Sequence, residues 1–259
     1  MTQPGSPSKI EGVRGRVTNS PSKSSSSQGK ERLVERLFHQ ALRQYLLIRD
    51  GDRVLVGLSG GKDSMALLEL LAHRSRIFMP KFTVEAAFVR MTNIPYQSDE
   101  NYLRQFTDSL GVKLHVRETA FDPSTDHRHT PCFLCSWYRR KELFNLAQQL
   151  GCNKLALGHH RDDFIQTALM NLTFQGQFSS MQPILQMDRF PLSIIRPLCL
   201  ISEADLQQWA AIKGYLPQKR ECPYEHDSHR HDMKDIIHQL QQMNPDFHSS
   251  FYRALERTF

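Results

Sequence analysis

The chain has 259 residues, enough for one large or two small domains, and a net charge of +6 that suits a polyanionic partner such as nucleic acid. No apolar run approaches membrane-spanning length and no secretory h-region stands near the start, so we expect a soluble, cytoplasmic protein with no membrane partner. Its five cysteines, an odd number, argue against a disulfide framework, and we interpret Cys152 and Cys199, in apolar contexts, as core thiols.

The chain divides by composition into three parts. Residues 1–30 are rich in Ser, Pro and Lys and offer few side chains for a core, so we expect a disordered basic tail. A helix is predicted over 31–49, where one face is apolar and the other charged. We assign this helix to a nucleotide-binding domain over 31–216, followed by a helical extension over 217–259.

Short apolar strands then alternate with amphipathic helices. Strands are predicted at 54–58, 82–90, 112–118, 154–158 and 193–198. Helices are predicted at 98–110 with Ser98 as the N-cap, 136–150, 162–172, 202–213 with Ser202 as the N-cap, about 228–242 and about 245–257. This alternation predicts a Rossmann-like α/β fold, a five-stranded parallel sheet with helices on both faces. Ligands of such sheets bind at the carboxyl ends of the strands.

The stretch 53–64, RVLVGLSGGKDS, predicts a buried strand, a glycine turn and a helix N-terminus. The N–H groups of the turn and the helix dipole favour an anion there. Because Lys62 is followed by Asp63, the stretch is not a Walker A loop. SGGKDS instead resembles the SGGxDS pyrophosphate loop of the PP-loop ATP-pyrophosphatase superfamily. Those enzymes cleave ATP between the α- and β-phosphates and adenylate an oxygen of their substrate.

This resemblance implies an ATP site along the loop and the ends of nearby strands. The residues assigned to ATP are Ser59, Gly60, Gly61, Lys62, Asp63, Ser64, Val89 and Gly158. Lys62 is expected to meet phosphate charge, and Asp63 to bind Mg²⁺.

A second motif, LGHHRDD, spans 157–163 and opens a predicted helix where a strand ends. Asp162 and Asp163 can hold Mg²⁺ against phosphates, and His159 can face the adenylating centre. Acidic residues also suit an ordinary helix start. The motif is similar to GHHxDDxxET of PP-loop tRNA-modifying enzymes, with Gln166 in place of the Glu. We assign Mg²⁺ to Asp63 and Asp162.

A C-x-x-C motif, Cys132 and Cys135, stands on a predicted loop before the helix at 136–150. Such a pair is typical of redox pairs and metal sites. It suits half of a zinc site completed by Cys222 and His226, or part of an iron–sulfur cluster. Three thiolates leave one iron of a [4Fe–4S] cluster open to an exogenous sulfide.

The run 131–163, which joins C-x-x-C to LGHHRDD through an Arg-rich helix, resembles the tRNA 2-thiocytidine synthetase family. The resemblance covers about 31–250 and implies a [4Fe–4S] cluster on Cys132, Cys135 and Cys222. Glu225 stands where many family members have a further Cys. The residues that the resemblance marks as catalytic are Lys62, Asp63, His159, Asp162, Asp163, Cys132, Cys135 and Cys222.

The same resemblance implies a reaction and its partners. ATP adenylates the C2 oxygen of a cytidine in a tRNA anticodon loop, at position 32, and sulfide from the cluster displaces AMP to leave 2-thiocytidine. The implied partners are tRNA and a cysteine desulfurase or other sulfur donor, and a homodimer is left open. The alternatives are another PP-loop ATPase such as a lysidine synthetase, a zinc version of the thiolase, and a non-catalytic nucleotide sensor or RNA-binding protein.

Basic and aromatic residues follow the cysteines directly. Trp137 and Tyr138 can stack on a splayed base while neighbouring cations meet phosphates. An ordinary amphipathic helix with a solvated basic face has the same pattern. The RNA-binding candidates are Trp137, Tyr138, Arg139, Arg140, Lys141 and Arg196.

Overall fold

The computed structural model describes residues 1, 23–94, 98–122, 130–188, 190–218 and 230–259, with backbone only at 23–26 and 230–231. Cys222 and His226 lie outside these residues. The strands of the described ranges are β1 (Arg53–Gly57), β2 (Thr83–Met91), β3 (Leu114–Thr119), β4 (Lys154–Ala156), β5 (Ile184–Gln186) and β6 (Ser193–Ile195). The helices are α1 (Lys23–Gln44), α2 (Lys62–Ser75), α3 (Glu100–Ser109), α4 (Pro131–Gln149), α5 (Arg161–Gln175), α6 (Glu203–Lys213), α7 (Arg230–Met243) and α8 (Phe247–Glu256).

The strands form one sheet in the order β3-β2-β1-β4-β6-β5. All neighbours are parallel except β5 and β6, which pair antiparallel. The predicted Rossmann-like fold and its five parallel strands are confirmed, and β5 is an additional edge strand that was not predicted. The chain leaves β1 toward β2 and later returns to β4 on the other side of β1. The carboxyl ends of β1 and β4 therefore mark the switch point where open sheets of this kind bind ligands.

The burial of β1 on both faces explains why its sequence is continuously apolar. Val54 and Val56 point into the main core, which also contains buried side chains of α2, α5 and α6. Leu55 points to the opposite face and packs with Leu146 and Ala147 of α4. Both faces of the strand are thus buried beneath helices, as is usual for parallel sheets.

Helix α1 begins at Lys23, not at residue 31 as predicted. The helix is anchored through Val34, Phe38 and Ala41, which are buried in the main core. Once a helix is anchored, each further residue adds a hydrogen bond at little cost, so Ser residues of weak helix propensity can extend it. Residues 2–22 of the predicted tail lie outside the described part of the chain.

Helix α4 also begins earlier than predicted, at Pro131 and not at residue 136, so the cysteine pair is part of the helix. The Thr130 hydroxyl accepts a hydrogen bond from the N–H of Phe133 at 3.3 Å, and Pro131 occupies the first turn. Thr followed by Pro is a favourable helix start, because the side chain caps and proline needs no hydrogen bond there. Cys132 and Cys135 therefore lie in the first and second turns of the helix, not on a loop before it.

Side chains cap the N-termini of α3 and α6. Asp99, not Ser98, caps α3 and accepts from the N–H of Tyr102 at 3.1 Å, while Ser202 caps α6 as predicted. The two C-terminal helices pack against α5, and the rings of Phe164 and Tyr252 meet edge to face. No helix in the described ranges combines the length and apolar character needed to cross a membrane.

Candidate functional site

The turn between β1 and α2 is held in shape by Ser64. Its hydroxyl accepts from the N–H of Ser59 at 3.1 Å and donates to the carbonyl of Gly61 at 2.9 Å. Gly60 has a φ of +81°, and a Cβ there would lie 3.1 Å from the Ser98 hydroxyl. Helix α2 starts at Gly61 without a side-chain cap. The result is a rigid turn at a helix N-terminus, suited to hold a phosphate group.

The backbone of the LGHHRDD motif packs against the backbone of this turn. A Cβ on Gly158 would lie 3.1 Å from the carbonyl carbon of Asp63 and 3.1 Å from the backbone N of Ser64. Neither contact could be relieved by rotating a side chain. Gly158 thus allows the end of β4 to approach the N-terminus of α2 closely, which brings the two predicted motifs together.

Gly158→Ala should separate the two motifs and lower stability by about 1–3 kcal/mol, the usual cost of an added methyl group in a packed region. We also expect weaker ATP binding, because the backbone of Asp63 and Ser64 must shift. Thermal unfolding and ATP titration measure the two effects. Gly29→Ala is the matched control, since a Cβ there meets nothing within 4 Å. Equal ATP affinity in Gly158→Ala and wild type would contradict this interpretation of the contact.

Lys62 lies between two carboxylates. Its Nζ is 3.1 Å from Asp63 Oδ1 and 3.6 Å from Glu203 Oε1, and Glu203 was not predicted as a site residue. The same Nζ donates a hydrogen bond to Asp63 Oδ2 at 3.2 Å, so Lys62 contacts both oxygens of this carboxylate. Carboxylate oxygens are ligands that Mg²⁺ prefers in proteins.

The two aspartates of LGHHRDD have protein partners instead. Asp162 Oδ2 accepts from the N–H of Glu203 at 2.8 Å, and Oδ1 lies 3.2 Å from Nε2 of His248 in α8. Asp163 Oδ2 accepts from the N–H of His160 at 2.9 Å and closes the first turn of α5. In the described part of the chain, no three His, Cys, Asp or Glu side chains are grouped to hold a metal ion.

Arg196, one of the predicted RNA-binding candidates, is buried, with 7% of its surface exposed. Its Nε donates to Nδ1 of His159 at 3.3 Å and its Nη1 to the carbonyl of Gln182 at 2.5 Å. Burial, with a smaller contribution from Arg140, lowers the pKa of Arg196 to about 10. Because a guanidinium only donates, Nδ1 of His159 accepts and the proton of the neutral ring lies on Nε2. Arg196 thus orients His159.

The cysteine pair opens on a cavity of about 320 Å³ that His159 also lines. Cys132 and Cys135 are partly exposed, lie one helical turn apart, and occupy the positive end of α4. A helix N-terminus favours the thiolate, the form that binds metal and iron–sulfur clusters. Arg139 and Arg140 line the same cavity and make it suited to anionic ligands.

A smaller cavity of about 80 Å³ lies beside the first, at the carboxyl ends of β1 and β2. It is lined by Ser59 of the phosphate loop and by Val89, as expected for a nucleotide site at this edge. Arg139 and Leu143 line both cavities. Ser59 and the thiol pair therefore open on adjoining spaces, whereas residues 60–63 of the loop line a separate cavity of about 440 Å³.

The other RNA-binding candidates differ in exposure. Trp137 is 46% exposed, and Nζ of Lys141 lies 5.4 Å from the centre of its ring. Tyr138 instead packs against an apolar cluster that contains Met91 and Leu134. We therefore interpret Tyr138 as a structural residue, whereas Trp137 and Lys141 are available to a partner.

The remaining cysteines should be inert toward alkylation. Burial raises the pKa of Cys152 to about 11 and that of Cys199 to about 12. At about pH 8, no more than roughly one molecule in a thousand would hold either thiol as the reactive thiolate. Iodoacetamide treatment of protein prepared without iron, followed by peptide mass spectrometry, should modify Cys132 and Cys135 and spare these two. Rapid labelling of Cys152 or Cys199 would contradict their assignment as core thiols.

Comparisons with known proteins agree with this geometry. The family model of the PP-loop domain matches residues 30–231. A tRNA-cytidine(32) 2-sulfurtransferase of Pseudomonas putida (strain W619) is 34% identical over 232 residues, which are 87% of this chain and 84% of that protein. The protein of that name from Pelobacter propionicus is 35% identical over 232 residues, 86% of each chain.

A solved structure supports the same relationship. The U34-tRNA thiolase NcsA from Methanococcus maripaludis, determined with its [4Fe-4S] cluster, matches with a TM-score of 0.76 and 26% identity, over 89% of this chain and 80% of that one. The matches extend through both predicted motifs and the cysteine pair. The chain therefore belongs to the tRNA-cytidine(32) 2-sulfurtransferase family of PP-loop proteins.

Proposed function

We propose that this chain is an ATP-dependent tRNA thiolase that replaces the C2 oxygen of a cytidine with sulfur, at position 32 of the anticodon loop. One observation carries the proposal. Ser59, the first residue of the phosphate loop, and the cysteine pair open on adjoining cavities that share Arg139 and Leu143. A substrate atom at that junction can be activated from one side and receive sulfur from the other.

The activating half of the site is the turn from Ser59 to Ser64. Its backbone N–H groups and the α2 dipole favour the phosphates of ATP, and Lys62 can exchange its carboxylate partners for phosphate oxygens. Asp63, at the N-terminus of α2, would hold Mg²⁺ beside these phosphates, and Asp162 holds the backbone of Glu203 in place. The C2 oxygen attacks the α-phosphorus, the bond to the β-phosphate oxygen breaks, and pyrophosphate leaves.

The sulfur-bearing half is the thiol cavity. Cys132 and Cys135 would hold a [4Fe–4S] cluster with Cys222, a thiolate set that suits iron–sulfur chemistry. When bound, such a cluster supplies an open iron at which sulfide can be carried.

The chain's own side chains assist the second step. A sulfur nucleophile forms the C2–S bond, the C2–O bond breaks, and AMP departs with the oxygen. His159, oriented by Arg196, presents a ring N–H in the thiol cavity and can donate to the departing oxygen. Arg139 and Arg140 can meet the phosphate charge of AMP. Each turnover consumes one sulfide, so the reaction requires a source of sulfide.

Nucleoside mass spectrometry of tRNA from a strain that lacks this protein tests the substrate. We expect 2-thiocytidine to disappear and to return when the gene is restored. A Lys62→Ala copy is the control and should fail to restore it, because the phosphate loop loses its cation. Unchanged 2-thiocytidine in the deleted strain would reject the proposed substrate.

A further inference from the structure

The early start of α4 places two large aromatic side chains at the surface beside the thiol cavity. Phe133 is 48% exposed and Trp137 46% exposed, and they are four positions apart on one helix face. The next residues along the helix, Leu134 and Tyr138, belong to the apolar cluster beneath. Leu134 and Tyr138 thus supply the apolar packing of this part of the helix. The two exposed rings lie outside that packing.

Helical geometry sets these rings directly beside the cavity wall. Cys132, Ser136 and Arg140 line the cavity, and each residue of an α-helix is rotated about 100° from the one before it. Phe133 and Trp137, each one position after a lining residue, form the adjacent stripe. The rings thus flank the opening where the proposed cytidine must enter.

The same stripe carries positive charge. Lys141 follows Trp137 on this face, with its Nζ 5.4 Å from the ring centre. Arg140 is held in place because its Nη2 donates to the Ser136 hydroxyl at 3.1 Å. Exposed aromatic rings alternating with cations are the combination that binds single-stranded nucleic acid, since rings stack on bases and cations meet phosphates. An isolated exposed apolar residue would need no such explanation.

We propose that Phe133 and Trp137 form a stacking platform for unpaired bases next to the target cytidine, with Lys141 on the neighbouring phosphates. The inference rests on the proposed function, because it identifies the ligand as the single-stranded loop of a tRNA. It adds that recognition of this loop depends on stacking at α4 and not on charge alone.

The first test compares the affinity of the full-length holoprotein for a tRNA anticodon stem-loop. Trp137→Ala and Phe133→Ala should each bind about five- to 100-fold more weakly, the range expected for loss of one base–aromatic stack. Trp137→Phe should stay near wild type because it keeps an aromatic ring. Phe78→Ala, which removes a ring that is 85% exposed on the α2–β2 connection, is the matched control and should bind normally. Wild-type affinity in both alanine variants would overturn the platform.

The salt dependence of binding separates stacking from charge. Trp137→Ala should leave the slope of log affinity against log salt unchanged, whereas Lys141→Ala should reduce the slope by about 0.7, the value for one phosphate contact on a single strand. Neither variant should lose affinity for a fully paired RNA duplex beyond the effect of charge. A Trp137→Ala variant that binds loop and duplex equally weakly would contradict base stacking.

Fluorescence gives an independent readout, because the chain has two tryptophans and Trp209 is only 1% exposed. Addition of the stem-loop should quench the emission of Trp137, and Trp137→Phe should lose this quenching while it still binds. No quenching in a wild-type complex would overturn contact between the loop and Trp137. ATP affinity without RNA should be unchanged in every variant. A wild-type protein that binds no tRNA would refute the proposed function itself, whereas normal thiolation by both alanine variants would refute only the platform.

Discussion

Cys135→Ser should abolish tRNA thiolation and leave ATP binding near the wild-type level. Cys135 lines the thiol cavity, while Ser59 lines the neighbouring one and residues 60–63 line another, so the substitution leaves the loop intact. A serine oxygen is a poor replacement for a thiolate in iron–sulfur ligation. Anaerobic protein should lose its brown colour and its broad visible absorbance together with activity. Cys222→Ser should have the same effects.

The control for this experiment is Cys152→Ala, which removes a thiol that is buried away from the cavity and should keep both the colour and thiolation. ATP titration, cluster absorbance and thiolated nucleoside are measured on the same preparations. If Cys135→Ser thiolates tRNA at the wild-type rate, the assignment of the cluster is wrong. If it loses ATP binding as well, the separation of the two halves of the site is wrong.

Arg196→Met should lower the rate of thiolation by about 100-fold, the effect expected when a reacting group is misplaced by about 1 Å. The variant loses both hydrogen bonds of the buried guanidinium, to His159 and to the carbonyl of Gln182. ATP and tRNA affinity should change little, because Arg196 acts through His159. Arg196→Lys should recover only part of the rate, since an ammonium group cannot reproduce the planar fork of the guanidinium.

Two readouts distinguish this positioning role from a structural one. Because Arg196 acts through His159, Arg196→Met should lower kcat while the KM values for ATP and tRNA stay near those of the wild type. The pKa of Arg196, lowered by burial to about 10, means that folding disfavours its charged form, so methionine should not lower the melting temperature through loss of charge. An unchanged kcat together with a large fall in melting temperature would contradict the positioning role.

The parts of this protein that could be predicted are those encoded in short stretches of sequence. The strand, glycine turn and helix at 53–64 were identified because apolar residues, glycines and helix formers follow one another directly. Three other predictions also depend on residues that are neighbours in the sequence. They are the cap at Ser202, the alternation of strands and helices, and the motifs at 59–64 and 157–163. The resemblance then joined these motifs to a function, which the comparisons with known proteins support.

What could not be predicted depends on contacts between distant positions. Arg196 meets His159 because β6 and β4 are neighbours in the sheet, and no periodicity in either segment indicates that pairing. His248 reaches Asp162 only because the C-terminal helices fold back on α5. The strand β5 has only three residues, too few for a pattern. Thr130 and Pro131 are a local signal for the start of α4, but the helix was predicted to begin only at residue 136. Phe133 was therefore not identified as an exposed residue on a helix face.

The central claim, that the chain couples ATP cleavage to insertion of sulfur into a tRNA cytidine, is tested most directly in a reconstituted reaction. The anaerobic protein with its cluster is incubated with ATP, Mg²⁺, sulfide and unmodified tRNA. The tRNA nucleosides are then analysed by mass spectrometry, and the AMP and pyrophosphate released are measured in the same samples. We predict 2-thiocytidine at position 32, formed in equal amount with AMP and only when ATP is present. AMP release that yields lysidine, 2-thiouridine or no modified nucleoside would contradict the account.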